Sequence, residues 1–241
     1  MFYSYMLYYV LGFVMIPGII LGILAQVRVM NTFNQYNSIS TSRGRSAKDV
    51  ARLMLNGAGY YETNIKEVNG HLNDNYNPRT DIVSLSSSVS NSSSIAAIGV
   101  AAHEIGHVFQ HKQKYLPVKI RTALISTSNI TSYLMWPLII IGFILEFVYY
   151  STFSSVLIYI GLGIYALNTL ICLVTLPVEL NASKKAYKML IATSEMDEKE
   201  AKAAKKVLNA AALTYVAALI TSILSLLRLV LFILTMRGDR R

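Results

Sequence analysis

The chain has 241 residues, of which 54% are hydrophobic and 15% charged, with a mean hydropathy of +0.44 and a formal net charge of +9. A charged fraction so far below the roughly 25% of soluble domains excludes an ordinary water-soluble globule and points to helices in lipid. A single cysteine, Cys172, excludes an intrachain disulfide framework, and the positive balance comes without a nucleic-acid-binding motif, so it fits loops facing an anionic leaflet.

Residues 1–27 carry no charged side chain and contain the apolar run from Leu11 to Leu21, which meets the length of about 20 residues that a span requires. Tyr3, Tyr5, Tyr8 and Tyr9 suit the membrane interface. No basic region precedes the run and no small-x-small cleavage site follows it, so the segment reads as a retained anchor. Next, Ser46 to Gly57 reads as a short helix, with Ser46 as N-cap, Asp49 three residues on, Gly57 closing it, and Val50, Leu53 and Met54 on one face. Ile65 to Leu72 and Asp81 to Leu85 are candidate strands on either side of Asn73 to Arg79, a segment rich in turn formers, and together they predict a small antiparallel sheet or hairpin. An exposed strand edge beside a metal site holds a peptide extended by backbone hydrogen bonds, and Ile82, Val83, Ser84 and Leu85 are the expected substrate-binding edge. Ser86 to Ser94, with seven serines in nine residues, reads as a solvated connection that ends with Ser94 capping the following helix.

That helix carries His103-Glu104-Ile105-Gly106-His107 behind the apolar run Ile95 to Ala102. Positions i and i+4 share a helix face, so His103 and His107 converge on one ion, and Glu104 lies beside it as a catalytic base within reach of a bound water. A polar trio inside a buried helix needs partners to offset its desolvation. Zn2+ is the ion that two imidazoles, a carboxylate and a water suit best.

A catalytic zinc takes a third protein ligand. His111 lies eight residues beyond His103, about 12 Å along a helix axis, too far for both to hold one ion. Gln110 and Gln113 stand where a metzincin needs glycine and histidine. His71 is a lone histidine in the strand-and-turn region. Glu179 is the strongest candidate, because it follows Pro177 at the end of an apolar stretch, where a carboxylate is otherwise poorly placed. The pattern is then H-E-x-x-H with a distant glutamate, the gluzincin arrangement. By residue type alone, Tyr187, His71 and Arg79 are candidates to stabilise an oxyanion.

Charge is absent from Thr122 to Leu145 and again from Phe147 to Val178, which predicts a helical hairpin turning near Tyr149 to Thr152. A last apolar helix runs from beyond Lys206 to about Met236, with Arg228 inside it and Glu146 as the expected partner of that arginine. The predicted fold is mainly α, an integral membrane helical protein with about four transmembrane helices and a small α+β zincin-like cytoplasmic domain. Its divisions are an anchor at 1–27, a metallopeptidase region at 28–121, a transmembrane hairpin at 122–178, a cytoplasmic ligand helix at 179–206, and a transmembrane helix with a basic tail at 207–241. The two hydrophilic pieces hold eleven and seven of the 22 basic residues, which places both in the cytoplasm. The same topology exports the tail Arg237 to Arg241, against the rule that places the rest. A transporter would show paired broken helices or an internal repeat, which this chain lacks. A non-catalytic zinc scaffold is the alternative, and it would have no use for Glu104.

The segments Gly57 to Tyr60, Leu72 to Arg79, Ala101 to Gln110 and Leu176 to Ser183 resemble the bacterial membrane zinc metallopeptidases of the YugP type, and the resemblance covers nearly the whole chain. It implies a membrane-embedded zinc metalloprotease acting on a protein or peptide, with His103, His107 and Glu179 as ligands and Glu104 as base. A looser similarity links the chain to the integral-membrane CAAX-prenyl and heat-shock-type proteases, in which the later glutamate is followed by x-x-Ala-Asp. There the aspartate is expected to hold the first ligand histidine; here Ala182 is followed by Ser183, so Ser183 or Asn181 is the candidate substitute.

Overall fold

The computed structural model describes Val10 and residues 12–70, 73–149 and 152–238, with the backbone alone at some helical positions between 126 and 149, at 152 and from 235 to 238. The protein is mainly helical, with a small sheet. In chain order the elements are α1 (Ile16–Asn37), α2 (Ala47–Gly57), β1 (Asn64–Val68), β2 (Asn75–Asn77), β3 (Ile82–Ser86), α3 (Ser87–Ser90), α4 (Ile95–Lys112), α5 (Leu116–Tyr149), α6 (Thr152–Ala192) and α7 (Glu198–Gly238). They divide into two compact units. One holds the described residues of 1–24, 119–176 and 215–241, the other residues 25–118 and 177–214.

The first unit is built from apolar helical segments whose large side chains point outward: Phe13, Ile19, Ile23, Leu24, Ile144, Phe153 and Leu234 are all exposed. Three helices are long and apolar enough to cross a membrane, Ile16–Asn37, Phe153–Ala192 and Glu198–Leu234, among the described residues. The fourth expected span falls on α5, which contains Pro137 and in which Tyr133–Leu145 is a shorter apolar stretch. Small residues bring these segments together. A Cβ on Gly142 would lie 2.8 Å from Ile158, and Phe143 meets Phe232 edge to face at 5.1 Å. Thr169 and Ser222 join α6 to α7 by a hydroxyl hydrogen bond of 2.8 Å, the kind of polar glue that apolar surroundings favour. Cys172, on α6, is half-buried. The side chain of Glu146, the expected partner of Arg228, lies outside the described residues, as do His71 and the end of the basic tail.

The second unit has a conventional core. Val50, Met54 and Leu55 of α2, Val83 and Leu85 of β3, and Ile98, Ile105 and Val108 of α4 are fully buried in one cluster with Leu190. Ser46 caps α2 through its Oγ, which accepts from the Asp49 N–H at 3.2 Å, and Gly59 turns the chain away at a φ of 77°. The sheet corrects two expectations. Its order is β1-β3-β2, with β1 parallel to β3 from Asn64↔Ile82 to Val68↔Ser86, and β2 antiparallel to β3. A parallel pair needs a crossover, and the excursion over residues 69–81 supplies it, with β2 formed inside the segment read as a turn. β3 is therefore the central strand. Ile82, Val83 and Ser84 are paired on both sides, and beyond them the Ser86 N–H donates to the Asp74 carboxylate at 2.8 Å. The expectation that Ile82 to Leu85 form an exposed edge does not hold, because Val83 and Leu85 are the most apolar and most buried part of the sheet and take its centre. β1 and β2, rich in asparagine and charge, take the edges.

Candidate metal centre

α4 begins where its sequence says it should. Ser94 Oγ accepts from the Ala97 N–H at 3.1 Å, and the same hydroxyl donates to Asn37 at the end of α1 at 2.9 Å. The helix then runs almost wholly buried, and its glycines set how closely its neighbours approach. A Cβ on Gly99 would touch Ala204 of α7 at 3.6 Å, an ordinary contact. A Cβ on Gly106 would overlap the main-chain carbonyl of Ala182 on α6, so this position admits no side chain unless the two helices separate. Gly106 precedes His107, and Ala182 lies one helical turn beyond Glu179.

This approach brings three side chains to one point. His103 Nε2 lies 3.0 Å from Glu179 Oε2, His107 Nε2 lies 3.5 Å from the same oxygen, and the two Nε2 atoms are 3.2 Å apart. A tetrahedral ion bonded at about 2.0–2.1 Å to each ligand spaces its ligand atoms about 3.3 Å apart, and these separations match that figure. The imidazole planes stand at 89° to each other, so the two lone pairs approach a shared point from different directions.

Each histidine is held from behind. Ser183 Oγ lies 3.1 Å from His103 Nδ1, so of the two expected stand-ins, Ser183 and Asn181, it is the serine that sits against the first histidine. Gln110 Oε1 lies 3.0 Å from His107 Nδ1, and Asn181 reaches that histidine only through Gln110, whose Nε2 donates to Asn181 Oδ1 at 3.0 Å. Gln110 had carried no meaning in the sequence beyond its departure from the metzincin pattern. The signal available was its spacing, one helical turn after His107 and therefore on the same face.

The electrostatics favour a cation. Burial disfavours the His107 imidazolium, yet the carboxylates of Glu179 and Glu104 hold its pKa above the ordinary value. Burial pushes the Glu104 carboxyl up, the two imidazoles pull it down, Glu179 and Asp74 push it up, and the net direction is upward. Two carboxylates facing two imidazoles in a largely dehydrated site favour a dication for the same reason that they favour protonated histidine. The donor set, two nitrogens and one oxygen with a carboxyl alongside, fits zinc.

The remaining sequence candidates lie elsewhere. His111 faces Tyr76, with ring centroids 6.1 Å apart, and does not join the three converging side chains. Arg79 is exposed in the turn after β2, where its N–H donates to Asn77, and the Tyr187 ring carries the Lys205 ammonium at 4.9 Å. Asp81, at a φ of 53°, ties the sheet to the end of α4: its carboxylate accepts from Thr63, Tyr76 and Lys112, the last at 2.6 Å. Burial raises the Asp81 pKa, but the hydrogen bonds from Lys112, Tyr76 and Thr63 outweigh it and hold the carboxyl below its ordinary value.

Comparison with known proteins agrees with the donor set. The family described as "Putative neutral zinc metallopeptidase" matches residues 11–234. The "Putative membrane protease YugP" of Bacillus subtilis (strain 168) is 35% identical over 227 residues, which cover 94% of this chain and 98% of that protein. No solved structure matches the chain. With zinc as the family's metal and three apolar helices of membrane-spanning length, the chain belongs to this family of membrane zinc metallopeptidases.

Proposed function

We propose that the protein is a multi-pass membrane zinc endopeptidase whose active site opens to the cytoplasm, with His103, His107 and Glu179 as the zinc ligands and Glu104 as the general base. The observation that carries the reading is the convergence of the three ligand atoms at 3.0–3.5 Å with a buried glutamate one residue from the first. Zinc bound there supplies a Lewis acid for the peptide carbonyl and makes an adjacent water acidic near neutral pH. Glu104 takes a proton from the attacking water and delivers it to the leaving amine as the carbon–nitrogen bond breaks. A carboxyl pushed upward by burial suits both halves of that transfer. Ser183 and Gln110 keep the ligand rings aimed while this happens.

Four spans remain the proposed topology, at 1–27, within 122–145 and 147–178, and beyond 206, with 28–121 and 179–206 in the cytoplasm. The distribution of basic residues supports it. Cysteines introduced at exposed positions such as Arg43 and Lys184, after Cys172 has been replaced, should react with a membrane-impermeant maleimide only once the cytoplasmic face is opened. Labelling in intact cells would reverse the orientation.

Purified wild type and Glu104→Gln, compared for zinc content and for cleavage of an unfolded protein substrate, test the chemistry. Equal zinc with activity at least about a hundredfold lower in the variant is the expected outcome. Equal zinc with equal activity would remove Glu104 from the mechanism. Equal zinc with no cleavage by either would favour the non-catalytic scaffold.

A further inference from the structure

Gln110 is completely buried, and each polar atom of its amide is engaged. Its Nε2 donates to the Val178 carbonyl at 2.7 Å and to Asn181 Oδ1 at 3.0 Å. A main-chain carbonyl can only accept, so Val178 fixes which end of the amide faces α6. Oε1 is thereby turned toward His107 and can itself only accept. The hydrogen of the neutral imidazole must then sit on Nδ1, which leaves the lone pair on Nε2, the atom 3.2 Å from His103 Nε2 and 3.5 Å from Glu179 Oε2. Ser183 gives His103 no such instruction, because a hydroxyl donates or accepts as required. The two histidines are therefore controlled differently, and the stricter control comes from the peptide unit immediately before Glu179.

We propose that Gln110 is a positioning residue that sets the tautomer and ring direction of His107 by reference to the main chain beside Glu179, so that the second and third ligands are registered to each other before the ion arrives. The inference rests on His103, His107 and Glu179 being the zinc ligands and not on the reaction they support.

The test uses the full chain in detergent, stripped of metal. Zinc affinity is read by competition with a chelator, the d–d absorption of the cobalt-loaded protein reports ligand geometry, and the Tm of the metal-free protein reports folding. Gln110→Met, which keeps length and loses the acceptor, should bind zinc about 10–100-fold more weakly and shift the cobalt band. Gln110→Glu in its neutral acid form keeps both ends, an O–H that donates to the Val178 carbonyl and an acceptor for the His107 Nδ1–H, with the Asn181 amide turned to donate, and should recover most of that loss. Asn181→Ala removes only the fastening between helices and should leave affinity within about threefold of wild type, and the loss in Ser183→Ala should fall short of the methionine variant's. Wild-type affinity and an unchanged cobalt band in Gln110→Met would overturn the proposal. So would a glutamate variant as weak as the methionine one, since Gln110 would then be a helix fastener and no more. If Gln110→Met lowers the metal-free Tm too far to be measured, the glutamate and Asn181→Ala variants decide between the same two answers. A wild type that binds zinc no more tightly than His103→Ala would refute the ligand assignment itself, a different result from any of these.

Discussion

Isoleucine does opposite work in the two units. Ile23 in α1 is 60% exposed, whereas Ile98 and Ile105 in α4 are fully buried. Both helices are apolar, and composition alone would treat them alike. The difference lies in what surrounds them: the first unit turns its large side chains outward and packs on glycine, threonine and serine, while the second packs large side chains inward and meets water through charge. An apolar helix thus has two stable settings, and a buried polar cluster such as the metal centre belongs only to the second, where neighbouring helices supply its partners.

Substitutions at matched positions put that contrast at risk. The largest effect should come from Ile105→Ala, which empties a closed core between α2 and α4 and should cost about 2–5 kcal/mol in a denaturation experiment. Ile23→Ala, on an outward face, should cost well under half of that, and equal costs would mean that α1 is as enclosed as α4. Gly106→Ala comes next. Overpacking of this kind costs about 1–3 kcal/mol, and because it forces α4 from α6 it should also weaken zinc binding, measured by chelator competition. The contact of Lys112 with Asp81 should have a smaller effect with a definite pH signature. The folded-state pKa of Asp81 is depressed, so the stability lost in Lys112→Met should be fully present above the ordinary carboxyl pKa of about 3.9 and vanish as the pH falls through the lower folded value. A difference that grows on acidification would contradict the pairing. Gly22→Ala should do least. Among the described residues no side chain or neighbouring helix lies within 4 Å of its new methyl group, and the change should be neutral or stabilising by no more than about 1 kcal/mol.

The parts of the structure that were legible in the sequence share a cause. Ser46 and Ser94 announce helix starts through short-range hydrogen bonds, and the spacing of His103 and His107 needs nothing beyond one turn of helix. Of the four spans expected from length and hydropathy, three are long apolar helices among the described residues. That Glu179 would meet the two histidines was reachable because a carboxylate next to an apolar stretch demands a reason. The sheet was less legible. Asn75–Asn77 is too short for an alternating pattern and consists of residues that favour turns, so the strand that makes β3 central left no local trace. Gln110 was obscure for a related reason: its meaning depends on Val178 and Asn181, about seventy positions away in sequence and adjacent only after α4 and α6 have met.

The contact of Gly106 with Ala182 bears on how the five-residue motif itself should be understood. Written H-E-x-x-H, the pattern states three letters and leaves two blank, as if the middle pair were spacers free to vary. In this protein Ile105 is sealed in the core and Gly106 lies against another helix's backbone, so the unwritten letters are as constrained as the written ones. The motif therefore specifies a docking surface as well as a pair of histidines: one side of the turn faces the proposed metal site, and the other packs on the helix that carries Glu179.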